Sequence, residues 1–496
     1  MTNRPARSRL AAAAVLVLAA GLVPLALAGG SGKRTATTPA SIPNFARDVA
    51  PIVRDTCVGC HTDGGIAPFA FRTEADVSTR AAAVLRALEA RRMPPWMPGP
   101  SSPLYLGQGD RALDARERTT LVRWAKAQLA TPGAPRGRTP IGTPKFADAA
   151  ARPGEQTLSL PMPTPYRPSA TGGGTDDYRC FLLDPGLTTD SFVTSARIAP
   201  GQTKVVHHVI LFRVLPNAVA DAEEFDRGTK GQGWTCFGGP GVRQGSTSGG
   251  GSVIAGLDDA GWISAWAPGN AGNRFREGTG VSLPAGSRVV MQVHYNLLNG
   301  SDPDLTRAVF TTVPATEGLT PVVTTLLPAP VELPCAKSES GPLCDRIAAQ
   351  FDQVKRFGQD AALAPAGLLL LCGKNAQNPA AGETTYCDRP VAKPTTIHAV
   401  GGHMHLLGRS IRVELNPGTP GAKLLLDIPR WDFHWQSVYP LVEPVTAKLG
   451  DVVRVTCRHD AALRAGILPK LKPRYTLWGE GTTDEMCLGI LLVTRP

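Results

Sequence analysis

Two thiols and an imidazole stand together in Cys57-Val58-Gly59-Cys60-His61. The C-x-x-C-H spacing is that of covalent haem attachment, in which the cysteines add to the porphyrin as thioethers and the adjacent histidine reaches the iron. A redox disulfide and a partial zinc site are the competing readings. Signs of export and the lack of a second cysteine pair nearby argue against both. The opposite axial ligand must come from downstream. Met93, in Arg92-Met93-Pro94-Pro95-Trp96, is the candidate, because a thioether raises the haem potential as an electron carrier requires. Met97 is the alternative, and simple pocket packing is the plain reading of Met93.

A second set of chemistry-bearing residues lies far downstream. His207-His208 sits inside Val205–Ile210, His294 follows Gln292-Val293, and His403-Met404-His405 follows Gly401-Gly402. In a strand, residues two apart share a face, so His403 and His405 can grip one metal. Adjacent His207 and His208 point to opposite faces, and share a metal only at a strand end or a bulge. A histidine pair in an apolar strand is costly unless partnered, which favours ligation. Imidazole suits both zinc and copper, so spacing alone leaves the metal open. Gln292 is a candidate hydrogen-bonding group beside His294, or an ordinary strand residue. His398, His434 and His459 read as structural or surface residues.

Three stretches of chain must position these groups. Arg4, Arg7 and Arg9 precede an apolar run from Leu10 to Ala28, a pattern that predicts an export signal over 1–28, cleaved or retained as an anchor. Residues 43–130 carry helical periodicity, over Glu74–Arg92 and over Leu113–Leu129, with Asp114 as the expected N-cap. Residues 131–154, rich in Pro, Gly and Thr, read as a linker. From 155 onward short apolar runs bounded by turn residues predict β-sandwiches: Lys204–Val214, Arg288–Tyr295, Ser410–Leu415 and Val452–Cys457. The length suits two of them, 155–325 and 326–496, with Pro-rich 314–334 at the boundary. Asp345–Phe357 reads as a helix within 335–392, a stretch otherwise without a clear pattern. Ten cysteines, eight of them outside the haem motif, fit an oxidising compartment. The formal charge of +11 is spread along the chain without a basic block, which argues against nucleic acid as a partner.

Phe45–Leu129, with its Met-Pro-Pro-Trp pattern, resembles bacterial class I cytochrome c domains. Further on, Val206–Phe212, Gln292–Tyr295, His403–Gly408 and Asp484-Glu485-Met486-Cys487 occur in the order found in the copper type II, ascorbate-dependent monooxygenases. Their members include peptidylglycine α-hydroxylating and dopamine β-monooxygenases, and the resemblance spans roughly 155–496. It implies two jelly-roll domains and two copper sites facing each other across a solvent cleft. His207, His208 and His294 resemble the electron-storing site. His403, His405 and Met486 resemble the oxygen-activating site, whose thioether favours Cu(I) over Zn(II). The resemblance also implies disulfides Cys457–Cys487 and Cys180–Cys236, while proximity alone suggests Cys335–Cys344 and Cys372–Cys387. Where the peptidylglycine enzymes bind a peptide carboxylate with Arg, Asn and Tyr, this chain has Gly401, Leu488 and Ile490. Peptidylglycine activity is therefore not expected, and the apolar replacements point to a less polar substrate.

The expected molecule is a small all-α cytochrome c domain followed by two all-β jelly rolls, carrying one haem c and two copper ions. Its expected function is C–H hydroxylation of a small or apolar organic substrate by O2, in the periplasm or outside the cell. Electrons would come through the haem from ascorbate or a redox protein. Membrane contact is expected only if the N-terminal segment is retained. The competing readings are a non-catalytic copper-binding electron carrier and an extracellular β-sandwich scaffold with vestigial sites.

Overall fold

The computed structural model describes residues 41–496 apart from 64–66, 132–136, 143–150, 171–175, 237–238, 243–255, 268–271 and 298–299. The expected export segment, 1–28, lies outside the described residues, as does part of the expected linker.

The first stretch is helical. Phe45–Val49, a π-helical turn, runs into the α-helix Ala50–Thr56 that delivers Cys57. The expected helix over Glu74–Arg92 is two helices, Glu74–Thr79 and Ala81–Glu89. Thr79 bonds the Ala75 carbonyl with its hydroxyl, and the Arg80 N–H turns to Val77 and Ser78, which breaks the ladder at that point. Ala115–Ala130 begins at Asp114, whose side chain accepts from the Glu117 N–H while Glu117 caps in return. Phe45, Val53, Val77, Leu88, Leu121 and Trp124 form the core of this unit. Each fully buried apolar side chain of this size contributes roughly 1.5–3 kcal/mol. Ile141, in the expected linker, is also buried here, and its N–H bonds to Arg72.

The remainder is built of sheets. One runs Trp234–Thr235, Asp176–Leu183, Arg288–Asn296, Val206–Val214, Trp262–Trp266 in spatial order. Its apolar face, with Phe181, Val209, Leu211, Met291 and Val293, packs against strands Gln156–Pro161, Arg307–Pro314 and Ser191–Ala199. A four-stranded sheet (Thr384–Pro390, Val452–His459, Gly408–Leu415, Lys423–Ile428) packs on Leu488–Thr494, Thr395–His403 and Val438–Ala447. Alternating burial along Gly408–Leu415 and Val452–His459 is the period-two pattern of one buried face.

The two sandwiches share a strand. Thr320–Pro328, at the expected boundary, pairs in parallel with Thr279–Leu283 and antiparallel with Leu488–Thr494. The long sheet is therefore continuous between them. Helices Arg346–Phe357, capped by Asp345, and Asp360–Leu371 precede the second sandwich. The latter helix was not expected: its face is apolar all round, so it carries no amphipathic period. Disulfides join Cys180–Cys236, Cys335–Cys344, Cys372–Cys387 and Cys457–Cys487. Among the described residues no helix is long and apolar enough to cross a membrane.

Candidate metal centres

The Val206–Val214 strand answers the problem of two adjacent histidines. Val206 pairs with Tyr295 and His208 with His294, so His207 is the extra residue of a bulge. A bulge rotates its residue out of the strict alternation, and His207 and His208 reach the same side. The Nδ1 atoms of His207 and His208 are 3.2 Å apart, and those of His208 and His294 are 3.3 Å apart. Ligand atoms of all three histidines lie within 4.8 Å of one another.

Asp176 sets the tautomer of His294. Its Oδ1 accepts from His294 Nε2–H at 2.9 Å, which leaves Nδ1 as a lone pair turned to the cluster. Tyr178, the cross-strand neighbour of His294, stacks on its ring at 4.1 Å. Burial opposes ionisation of Asp176, but the hydrogen bond from His294 outweighs it and holds the carboxyl below its ordinary range. Burial, then the neighbouring imidazoles, pushes His207 and His208 well below the usual histidine value, so both rings are neutral near pH 7. His207 Nε2 is buried without a partner. Three imidazoles whose ring nitrogens converge fit a borderline metal ion such as copper. Gln292 shares the sheet face of His294, but its amide is turned along the strand, 3.4 Å from the Gly239 carbonyl and beside the Cys180–Cys236 disulfide.

His403 ends the strand Thr395–His403, and His405 follows in the turn. Their rings are 5.1 Å apart and nearly perpendicular. His403 Nδ1 donates to Gln436 Oε1 at 2.5 Å, and His405 Nδ1 to the Asp484 carbonyl at 3.1 Å. Both rings thus keep Nε2 for a ligand. Burial, then His405, lowers His403 to about 3; burial lowers His405 as well. Met486 is buried two residues beyond Asp484. Its backbone N–H and that of His405 both donate to Glu485 Oε2, at 3.3 and 3.0 Å. Two imidazoles and a thioether are a donor set that suits Cu(I).

Glu485 was not singled out in the sequence, because a lone glutamate beside a methionine carries no spacing signal. It is fully buried, and its Oε1 also accepts from Leu407 N–H at 2.5 Å. Burial opposes its ionisation, but His459 and these N–H groups hold it ionised. His459, buried against Glu485 and the Met486 carbonyl, is structural, and His398 bonds Thr494. His434 is exposed, but its ring lies 6.0 Å from that of His207, at the rim of the centre.

Among the described residues the two sites are not held apart by the expected solvent cleft. The His208 and His403 rings are 6.4 Å apart, and Phe433 stacks on His207 at 4.6 Å while lying 6.0 Å from His405. The shared strand and the Trp431–Ser437 loop bring the two clusters face to face.

In the helical unit, Cys57 and Cys60 are free thiols, whereas the eight other cysteines are paired. His61 Nδ1 donates to the Phe69 carbonyl at 3.1 Å, leaving Nε2 open to a ligand, and its ring packs against those of Phe69 and Phe71, each 4.6 Å away. These residues fit a covalently attached haem. Met93 lies four residues beyond the helix Ala81–Glu89 and is half-buried. Met97 is buried in the core of the second sandwich and accepts from the Asp432 N–H at 3.4 Å, which commits it to packing there.

Gly401, Leu488 and Ile490 lie on the sheet face that carries His403, since Gly401 pairs with Ile490 and His403 with Leu488. A Cβ at Gly401 would sit 3.1 Å from Val438 and 3.2 Å from the Ser437 carbonyl, so the site is tight against a long side chain.

Residues 372–492 match the family model described as copper type II ascorbate-dependent monooxygenase, C-terminal domain. That match supports a copper-dependent monooxygenase kind of function. Among solved structures, the coconut allergen cocosin is similar at 10% identity over 69% of this chain and 86% of that one, with a TM-score of 0.12. A pumpkin seed globulin matches at 11% identity, 65% and 78% coverage and a TM-score of 0.14. A mutant Bacillus subtilis oxalate decarboxylase matches at 8%, 68% and 77%, with a TM-score of 0.12. Likenesses at this level say nothing about fold or function.

Proposed function

We propose that the chain is an exported monooxygenase with two copper sites and one haem c, which hydroxylates a C–H bond of an organic substrate. The observation that carries this reading is the pair of facing donor sets, His207/His208/His294 and His403/His405/Met486, within a chain whose residues 372–492 match the family. When bound, copper supplies the activation of O2, one atom entering the substrate and the other leaving as water. The chain's own residues do the rest. Asp176, Gln436 and the Asp484 carbonyl fix the ring tautomers, and Glu485 holds the turn that presents His405. Cys57, Cys60 and His61 would hold the haem as a built-in one-electron store, supplementing or replacing ascorbate. The uncharged face around Gly401, Leu488 and Ile490 offers a substrate carboxylate no cation, and favours an apolar substrate.

Metal analysis of protein matured with haem and copper tests the cofactor content, with two coppers per haem iron expected. Oxygen uptake coupled to hydroxylated product, in a screen of apolar compounds, tests the activity. Copper and haem without coupled uptake would instead indicate an electron carrier.

A further inference from the structure

The segment after the proposed haem ligand Met93 does not stay with its helices. From Trp96 to Arg111 it lies along the second sandwich. Trp96 meets Tyr439 edge-on at 5.2 Å, and Gly99 N–H bonds to the Asp427 carbonyl at 2.7 Å. Tyr105 donates to the Leu425 carbonyl at 2.7 Å and forms a β-bridge to Leu441. These contacts flank one loop, Trp431–Ser437, and it touches both metal centres. Phe433 stacks on His207, and Gln436 holds His403. From the haem side, Met97 sulfur takes the N–H of Asp432, the residue before Phe433. Arg111 donates to Ser437 Oγ at 3.1 Å, beside Gln436. Arg111 ends the short helix Gln108–Arg111, which packs on Ala50–Thr56, the helix that delivers Cys57.

We propose that the Trp431–Ser437 loop is the electron port of the copper centre, with Met97 and Arg111 as positioning residues that hold the haem-bearing helices against it. The proposal rests on the haem–copper reading above and adds the route. Through-bond and stacked contact runs from Met97 by way of Asp432 and Phe433 to His207, the residue placed in the electron-storing site. Each transfer is a single electron: ferrous iron becomes ferric and cupric ion becomes cuprous, with no bond made or broken. Ascorbate restores the ferrous state.

The test uses the full chain with haem and copper bound, the haem reduced and the copper oxidised, mixed without O2 or substrate. Decay of the ferrous-haem absorbance should be first order and independent of protein concentration. Phe433→Leu should lose the fast phase, Phe433→Tyr should retain it, and Met97→Leu should slow it at unchanged metal content. Decay proportional to protein concentration, or a fast phase unaltered in both leucine variants, would overturn the port. Protein that holds both cofactors but shows no decay would also overturn it, leaving the cofactor assignment intact. Protein that takes up no haem or no copper would overturn the underlying reading and the port with it. If Phe433→Leu loses copper, Met97→Leu and the concentration dependence of the unaltered protein still decide the matter.

Discussion

Glu485 grips His405 from behind: one carboxylate oxygen accepts the His405 N–H at 3.0 Å and the other that of Leu407 at 2.5 Å. The imidazole is thereby held at both ends, by this carboxylate through its backbone and by the Asp484 carbonyl through its ring. Glu485→Gln keeps the shape but turns an NH2 donor toward backbone donors. A buried polar group left unmatched costs about 1–3 kcal/mol. Thermal unfolding should show that loss, and copper analysis should show the His403/His405/Met486 site emptied first.

In the first sandwich Asp176 holds His294 directly by its ring nitrogen. In Asp176→Asn the charged acceptor of His294 Nε2–H is gone. Losing such an outer partner weakens metal binding by about 10–100-fold. Competition against a chromophoric copper chelator measures this, and the His403/His405/Met486 site should keep its affinity.

Met486→Leu preserves volume and removes the sulfur. Copper–sulfur scattering in X-ray absorption of the reduced protein should disappear, while nitrogen scattering from the three-histidine site remains. An unchanged sulfur shell would remove Met486 from the ligand set.

Cys57→Ser with Cys60→Ser should abolish covalent haem, seen as loss of haem staining on a denaturing gel. The four disulfides lie elsewhere in the chain, so thermal stability of the sandwiches should be unaffected.

Glu155 predicts an acid-side loss of stability away from the metals. Burial opposes its ionisation, but hydrogen bonds from Arg274, Thr194 and the Arg152 backbone lower it from 4.5 to about 2. A carboxyl depressed on folding contributes fully above its unfolded value and loses that contribution as pH falls through the folded one. The stability gap between the protein and Glu155→Gln should therefore be constant above pH 4.5 and shrink between 4.5 and about 2. Denaturant unfolding across that range measures it.

Much of the architecture was legible in local pattern. Asp114 and Asp345 announce helix starts because a cap is a contact between near neighbours. The strand Val452–His459 announces itself by alternation. Asp360–Leu371 was silent because an apolar helix has no period to read, and the break at Arg80 was hidden in a run of helix formers.

Sequence alone determined which atoms are available: two thiols beside an imidazole, five histidines in three clusters, and a methionine beside a cysteine. It also determined that His403 and His405 can act together, since spacing within an extended segment sets the side. Tertiary structure alone decided the rest. Whether His207 joins His208 depended on a bulge, which is a property of the pairing with Tyr295 and His294 and not of one strand. The closeness of His208 to His403, residues far apart in the chain, depended on a strand shared by two sandwiches. Glu485 became important only when the chain brought it against the backbone of His405, since a carboxylate's role is set by the donors that surround it.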